Sequence, residues 1–361
     1  MRQITAAIAT AFGQPLTLSP ARLRSPGPGQ VEVATIAVAV CHSDITYLDG
    51  GWGGALPAVY GHEAAGIVTS AGPGVALAPG TRVVVTLIRS CGTCPCCTSG
   101  RPVLCEAPPR DSPLSLPDGG ALTQGLRCGA FASHMVVDAS QVAPIPDDLP
   151  ADLACLLGCA VITGLGAVFN TARLQPGESA VVIGAGGVGL NAVMGASIAG
   201  ARAVVAVDPS AGRRAAALTF GATATVDPAE PAPWKAARSA IGRGADVALV
   251  TVGAIPAIEA ASRYLAPGGR VILVGMPHSG ARAQFEPVIL SALGHSLIGC
   301  NMGDTVVARD IPRHVQLWRD GRLPLDRLAS HRWPFARINE AIAAARAGEG
   351  LRHVITMDPA G

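Results

Sequence analysis

The chain has 361 residues, 49% hydrophobic and 14% charged, which is ample for a buried core and too long for a single simple one, so two domains are expected and disorder is not. Its 27 basic and 25 acidic residues leave a net charge of +2 with no Lys/Arg run, so nothing points to nucleic acid or to an anionic membrane. Lys235 is the single lysine, and chemistry through a lysine Schiff base is not expected.

The N-terminal stretch MRQITAAIATAFGQPLTL is interrupted by Thr5, Thr10, Gly13 and Gln14 and has no cleavage-like site, so it is not read as a signal peptide. A cytoplasmic location follows as the expectation. In a reducing compartment, clustered cysteines bind metal more often than they form disulfides. Residues 1–150 read mostly as short strands. QVEVATIAVAV (30–40), GIVTSAGPGV, TRVVVTLI and FASHMVVDAS are β-branched runs separated by Gly/Pro turns. Residues 106–127 read as a long Pro/Gly-rich loop, a length that usually marks function or mobility.

From about residue 152 the pattern changes. ADLACLLGCAVITGLGAVFNTA has helical length and small residues. SAVVIGAGGVGLNAVMGASIAGA reads as strand, glycine turn and helix, followed by strands at 203–208, 245–253 and 269–275 with helices between them. Continuous apolar strands alternating with helices predict a parallel sheet covered on both faces. The stretches 151–170 and 180–199 are rich in Gly and Ala and carry Asp152 and Asn191, so a buried helix and a strand–turn–helix are better readings than membrane spans. NEAIAAARAGEG and RHVITM read as a final helix and strand.

Three motifs carry chemistry. Gly184, Gly186, Gly187, Val188 and Gly189 lie in GAGGVG, between a strand and a helix, and Asp208 ends the next strand. That is the dinucleotide fingerprint in its required context. A pyrophosphate would meet the helix N-terminus. Asp208 would accept from the ribose hydroxyls and repel a 2′-phosphate, which favours NAD over NADP. A glycine-rich turn of another α/β fold is the competing reading, and strand, turn, helix and acid together weigh against it. In CGTCPCCTSGRPVLC (91–105), Cys91, Cys94, Cys97 and Cys105 have the spacing of a closed tetrahedral zinc site, with Cys96 expected to point away. Free thiols or a redox pair are the alternative. Finally, CHSD (41–44), GHE (61–63) and GC (158–159) put Cys41, His62 and Cys159 in three separate segments. Two thiolates and an imidazole leave one position of a tetrahedral zinc open, although each residue alone is as readily a core residue.

GHEAAGIV, CHSD, the four-cysteine lobe, GCAVITGLGAV, GAGGVGL and INEAIAAARAGEGLRHVI occur in the order found in the zinc-dependent medium-chain alcohol dehydrogenases, and the chain resembles that family over essentially its whole length. The resemblance implies an α/β chain. A Rossmann-type doubly wound parallel sheet would occupy 161–302. A mainly β, GroES-like and partly barrel catalytic domain with a zinc lobe would be formed by 1–160 and 303–361, with substrate between the two. It implies two zincs per chain, one held by Cys41, His62 and Cys159 and one by the lobe, with NAD as cofactor. It makes Glu63 a group behind the catalytic metal, Asp44 the partner that orients His62, and Ser43 the group that touches the substrate oxygen and passes its proton outward. Thr163 would sit near the nicotinamide, His42 and Arg352 near the pyrophosphate, and Arg213 near the adenosine ribose.

The implied reaction is reversible hydride transfer between a primary or secondary alcohol and NAD, giving an aldehyde or ketone. The chain departs from the family at a relay position held here by Thr46. Pro109 stands where the glutathione-adduct branch carries an arginine, with Arg110 one place later, and Trp52 stands in place of an acid. These departures favour an apolar or aromatic alcohol. A thiol-adduct (S-hydroxymethyl-glutathione-type) formaldehyde dehydrogenase is the alternative, and a polyol dehydrogenase, a zinc-free quinone or enoyl reductase and a non-enzymatic binding role are weaker ones. The apolar segment HSLIGCNMG (295–303) resembles the family's pairing edge, so a homodimer or homotetramer is expected.

Overall fold

A computed structural model describes residues 1–357. The chain divides into two compact units, one made of Met1–Ala160 with the chain from Val306 onward, the other of Val161–Thr305.

The first unit is mainly β. Its longest strand, Gln30–Ala39, pairs antiparallel with Glu63–Ala71 on one side and with Arg352–Thr356 and His134–Asp138 on the other. The pairing with Glu63–Ala71 shifts register twice, between Glu32 and Val33 and between Thr35 and Ala37. Such bulges bend a strand and raise its twist, which curls a sheet toward a barrel. Arg82–Val85, Val142–Pro144 and Ala329–Pro334 complete seven strands. A five-stranded sheet joins it, built on the hairpin Arg2–Ala9 and Thr17–Leu23. One core lies within this unit, with Phe131, Leu23, Met135 and Leu122 among its fully enclosed side chains.

The stretch 106–127 is more ordered than its Pro/Gly content predicts. Leu114–Ser115 pairs with Thr17–Leu23, and Thr123–Gln124 pairs with Ala58–Val59. Both are two-residue pairings whose partners are distant in sequence, so no local periodicity announces them.

The second unit is a six-stranded parallel sheet in the order Ala224–Val226, Ala203–Val207, Ser179–Ile183, Ala245–Val250, Leu265–Leu273, Ser296–Gly299. Every residue of Ser179–Ile183 and of Ala203–Val207 is buried, as expected of strands covered on both faces. The order reverses beside Ser179–Ile183, and its carboxyl end is therefore the topological switch point of a doubly wound sheet.

The helix predicted over ADLACLLGCAVITGLGAVFNTA is broken. Ala151–Ala154 is α-helical and Cys155–Gly158 is a 3₁₀ turn, and Ala160–Gly166 resumes the α-helix after Cys159, whose φ is −149° and ψ −68°. Gly158 explains the placement. A Cβ there would lie 2.6 Å from the Val85 carbonyl oxygen and 3.0 Å from Glu63 Cα, so only glycine lets this segment reach the strands that carry Glu63. Among the described residues no single helix is long and apolar enough to cross a membrane.

Candidate active site and metal centres

Cys41 immediately precedes the helix His42–Leu48, with extended backbone angles. Asp44, in the first turn, folds back, and its Oδ2 accepts from the Cys41 amide at 3.0 Å. Its Oδ1 accepts from the Gly61 amide at 3.0 Å and from His62 Nδ1 at 3.1 Å. One buried carboxylate thus ties the helix start to the turn before the strand Glu63–Ala71. It also sets the His62 tautomer: Nδ1 carries the proton and Nε2 presents a lone pair.

That lone pair has no hydrogen-bond partner, although His62 is fully buried. Glu63 Oε1 is likewise buried and unpartnered. An unsatisfied buried polar atom costs about 1–3 kcal/mol. The two orphaned atoms belong to one cluster: donor atoms of Cys41, His62, Glu63 and Cys159 all lie within 4.8 Å of one another. Two sulfurs, an imidazole nitrogen and a carboxylate oxygen, all buried, are a donor set suited to zinc.

The electrostatics of the cluster agree. The hydrogen bond between the two sulfurs holds Cys41 well below the usual thiol range and Cys159 well above it, and burial opposes the first shift and adds to the second. The pair by itself therefore favours one thiolate over two. Burial disfavours the His62 imidazolium, but Asp44 and Cys41 outweigh it and raise His62 above its ordinary value. Burial lifts Glu63 to about 8, partly offset by Arg352, whose Nη2 donates to Glu63 Oε2 at 2.5 Å. Bound cations and protons compete for such groups.

The second cluster lies on the lobe. Donor atoms of Cys91, Cys94, Cys97 and Cys105 also lie within 4.8 Å of one another, and none of the four is buried. Cys91 Sγ accepts from the Thr93 hydroxyl and from the Thr93 and Cys94 amides, which lowers its thiol to about 5. Cys96 Sγ turns instead to Glu106 Oε1 at 3.4 Å. Four sulfurs fill a tetrahedral shell, so a zinc here would have no position for substrate.

In the second unit, Gly184 ends the central strand at φ +97°, and the helix Gly187–Ile198 begins after Gly186. A Cβ on Gly189 would lie 1.8 Å from the Gly184 carbonyl oxygen, so that glycine is needed for packing the turn on the helix. Gly186 differs: nothing lies within 4 Å of a Cβ built there. The protein does not use that space, which suits close approach of a pyrophosphate. Asp208, 2% exposed, accepts from the Ala185 amide at 2.8 Å and the Ser210 amide at 2.9 Å, so it also braces the glycine turn.

The remaining sequence candidates are scattered. His42 is exposed and Ser43 half-buried at the start of their helix. Thr163, buried on Ala160–Gly166, donates to Met302 Sδ at 3.7 Å. Arg352, 6% exposed, belongs to the Glu63 cluster. Arg213 follows Ser210, the N-cap of the helix Ala211–Thr219, and its amide donates to the Ser210 hydroxyl at 3.3 Å. Arg214 donates to the Asp208 carbonyl at 2.7 Å and pairs with Asp227 at 2.9 Å. Adjacent arginines on a helix point 100° apart, and motif reading does not decide between them.

Two features were not anticipated. Tyr47 packs edge-on against Trp52 at 5.2 Å and stacks on Tyr60 at 5.6 Å, forming an aromatic cluster beside the Cys41 helix. Met302, Gly303 and Asp304 all have positive φ, an uncommon run that seats Met302 on Thr163. Only the glycine has a readable local signal for that conformation.

Comparison with known proteins shows the family. Residues 27–147 match the alcohol dehydrogenase GroES-like domain, and residues 187–318 match the zinc-binding dehydrogenase domain. A geraniol dehydrogenase of Castellaniella defragrans is 37% identical over 97% of this chain and 96% of its own. A putative alcohol dehydrogenase D of Mycobacterium tuberculosis is 35% identical over 97% of this chain and 99% of its own. The crystal structure of benzyl alcohol dehydrogenase from Acinetobacter calcoaceticus superposes with a TM-score of 0.93 at 29% identity, covering 99% of this chain and all of that one. The chain belongs to the zinc-dependent medium-chain alcohol dehydrogenase family, as an NAD-dependent oxidoreductase.

Proposed function

We propose that this enzyme reversibly oxidises a primary or secondary alcohol of apolar or aromatic character, with NAD as hydride acceptor and two zincs per chain. The observation that carries the reading is the buried, unpartnered His62 Nε2 facing the sulfurs of Cys41 and Cys159. Cys41, His62 and Cys159 hold the catalytic zinc in this reading. Zinc supplies Lewis-acid activation of the alcohol hydroxyl when bound, and NAD takes up the hydride.

The residues of the chain do the rest. Asp44 fixes the His62 ring through Nδ1. Arg352 holds one Glu63 oxygen and leaves the other unpartnered within the cluster, where it would sit behind a bound zinc. Half-buried Ser43, two residues past Cys41, receives the alcohol proton and passes it outward; the buried Thr46 hydroxyl already donates to the His42 carbonyl. Thr163 backs the nicotinamide. Gly184, Gly186, Gly187, Val188 and Gly189 cradle the pyrophosphate with His42 and Arg352 beside it, and Asp208 and Arg213 serve the adenosine ribose. The four-cysteine lobe holds the second zinc in a purely structural role.

The substrate class rests on the Tyr47–Trp52–Tyr60 cluster and on two relatives named for geraniol and benzyl alcohol. We further read the protein as cytoplasmic, with ten free cysteines, and as a homodimer or homotetramer formed through the edge strand Ser296–Gly299, where Leu297 is 40% exposed. A panel of alcohols run with NAD and with NADP tests the reading. Benzyl and allylic alcohols should give the highest kcat/KM, with NAD preferred. A higher kcat/KM for S-hydroxymethylglutathione would transfer the assignment to the thiol-adduct reaction.

A further inference from the structure

Arginines stand at both ends of the four-cysteine lobe: Arg89 is two residues before Cys91 and Arg110 five after Cys105. Both turn to Asp138. Arg110 Nη2 lies 3.0 Å from Asp138 Oδ2, while Arg89 Nε stops at 3.8 Å from the same oxygen. The other oxygen, Oδ1, accepts from the Ser140 amide and hydroxyl. One carboxylate therefore serves two guanidiniums. Arg89 donates from Nη1 to the Pro108 carbonyl, but its Nε is buried without a hydrogen-bond partner.

Arg89, Arg110 and Asp138 line a cavity of about 530 Å³, together with Gln30 and a third arginine, Arg127. Among the described residues no ion pair involves Arg127, and Asp138 is the only carboxylate in the cavity wall. Three arginines against one aspartate leave the lining residues with an excess of two positive charges. The charged corner is remote from the metal cluster along the chain. Gln30, paired in register with Asp138, opens the strand Gln30–Ala39, whose other end leads to Cys41. Ten strand residues span roughly 30 Å. None of Cys41, His62, Glu63 or Cys159 lines the cavity.

We propose that this cavity is a second binding site, for a small dianion bearing a phosphate or a pair of carboxylates. The ligand bridges Arg89, Arg110 and Arg127 and so clamps the two ends of the lobe. Guanidinium forks bind such oxyanions bidentately. This site goes beyond the dehydrogenase reading and does not depend on the alcohol.

The test is calorimetric titration of the zinc-replete enzyme with inorganic phosphate and, separately, with succinate. NAD is kept saturating so that the glycine turn is filled. One ion per chain should bind, more weakly as salt rises. Arg110→Gln and Arg127→Gln should each weaken it about tenfold while leaving kcat and KM for alcohol and NAD unchanged. Binding of phosphate alone assigns the site to phosphate bearers and binding of succinate alone to dicarboxylates; either supports it. Amide exchange across residues 106–112 should slow on binding. Absence of binding by both ions, full binding by both variants, or binding without slowed exchange would overturn the proposal.

Discussion

Replacing Asp44 with asparagine isolates the device that aims His62. The carboxylate accepts three hydrogen bonds, from the Cys41 amide, the Gly61 amide and His62 Nδ1, and is fully buried. Asparagine keeps the shape but turns one acceptor into a donor. Either the Cys41 amide or the Gly61–His62 pair must then face an N–H group. A buried donor left without an acceptor costs about 1–3 kcal/mol. Loss of a partner that orients a metal-bound imidazole typically lowers metal affinity about 10–100-fold, or about 1.4–2.7 kcal/mol, which is the same range. The assay is zinc release to a chromogenic chelator, which should resolve a catalytic phase from a lobe phase. Asp44→Asn should accelerate the catalytic phase alone and lower turnover in parallel. Two phases unchanged from the parent, or an acceleration confined to the lobe phase, would show that Asp44 does not hold the His62 ring in a metal site.

Other perturbations separate the remaining claims. Gly186→Ala meets no atom within 4 Å, so it should leave Tm within about a degree and still weaken NAD binding; Gly189→Ala, with its Cβ at 1.8 Å from the Gly184 oxygen, should lower both. Fluorescence titration with NADH beside calorimetry checks the pair, and intact NADH affinity in Gly186→Ala would count against the cradle. His314 is buried, and desolvation outweighs Asp310 to push it down to about 4. The folded state therefore binds fewer protons than the unfolded one between about pH 6.5 and 4, so stability present above pH 6.5 is lost as pH falls through that window, up to about 3 kcal/mol. His314→Leu should flatten that part of a urea-stability profile, and an unchanged slope would reject the assignment. Cys97→Ser should expose residues 91–105 to protease while NADH affinity stays at the parent value; resistance equal to the parent would deny the lobe a metal-dependent fold.

The parts of the molecule legible in the sequence are those whose signals are local. The turn Gly184–Gly189 and the strands around it announce themselves by glycine spacing and by unbroken apolar runs. The lobe does so by five cysteines within fifteen residues, four of them at zinc-site spacing. The catalytic cluster is not local. Cys41, His62 and Cys159 meet because distant segments pack together, and the residues alone offered only weak candidates until the family resemblance joined them. The break at Cys159 was hidden because its neighbours are small and apolar, as in a core helix. Its cause is tertiary: Gly158 is squeezed between Val85 and Glu63. Short pairings such as Leu114–Ser115 escaped for the same reason, since a two-residue strand has no period to read. At Asp208 the motif locates the acid, but the bond from Arg214 to its backbone carbonyl has no local signal.

Anomalous diffraction at the zinc edge, from crystals of fully active enzyme, decides whether these residues hold zinc. Two peaks per chain are expected, one among Cys41, His62 and Cys159 and one among the four lobe sulfurs. Full turnover in enzyme whose crystals show no peak at the first position would contradict a catalytic zinc there.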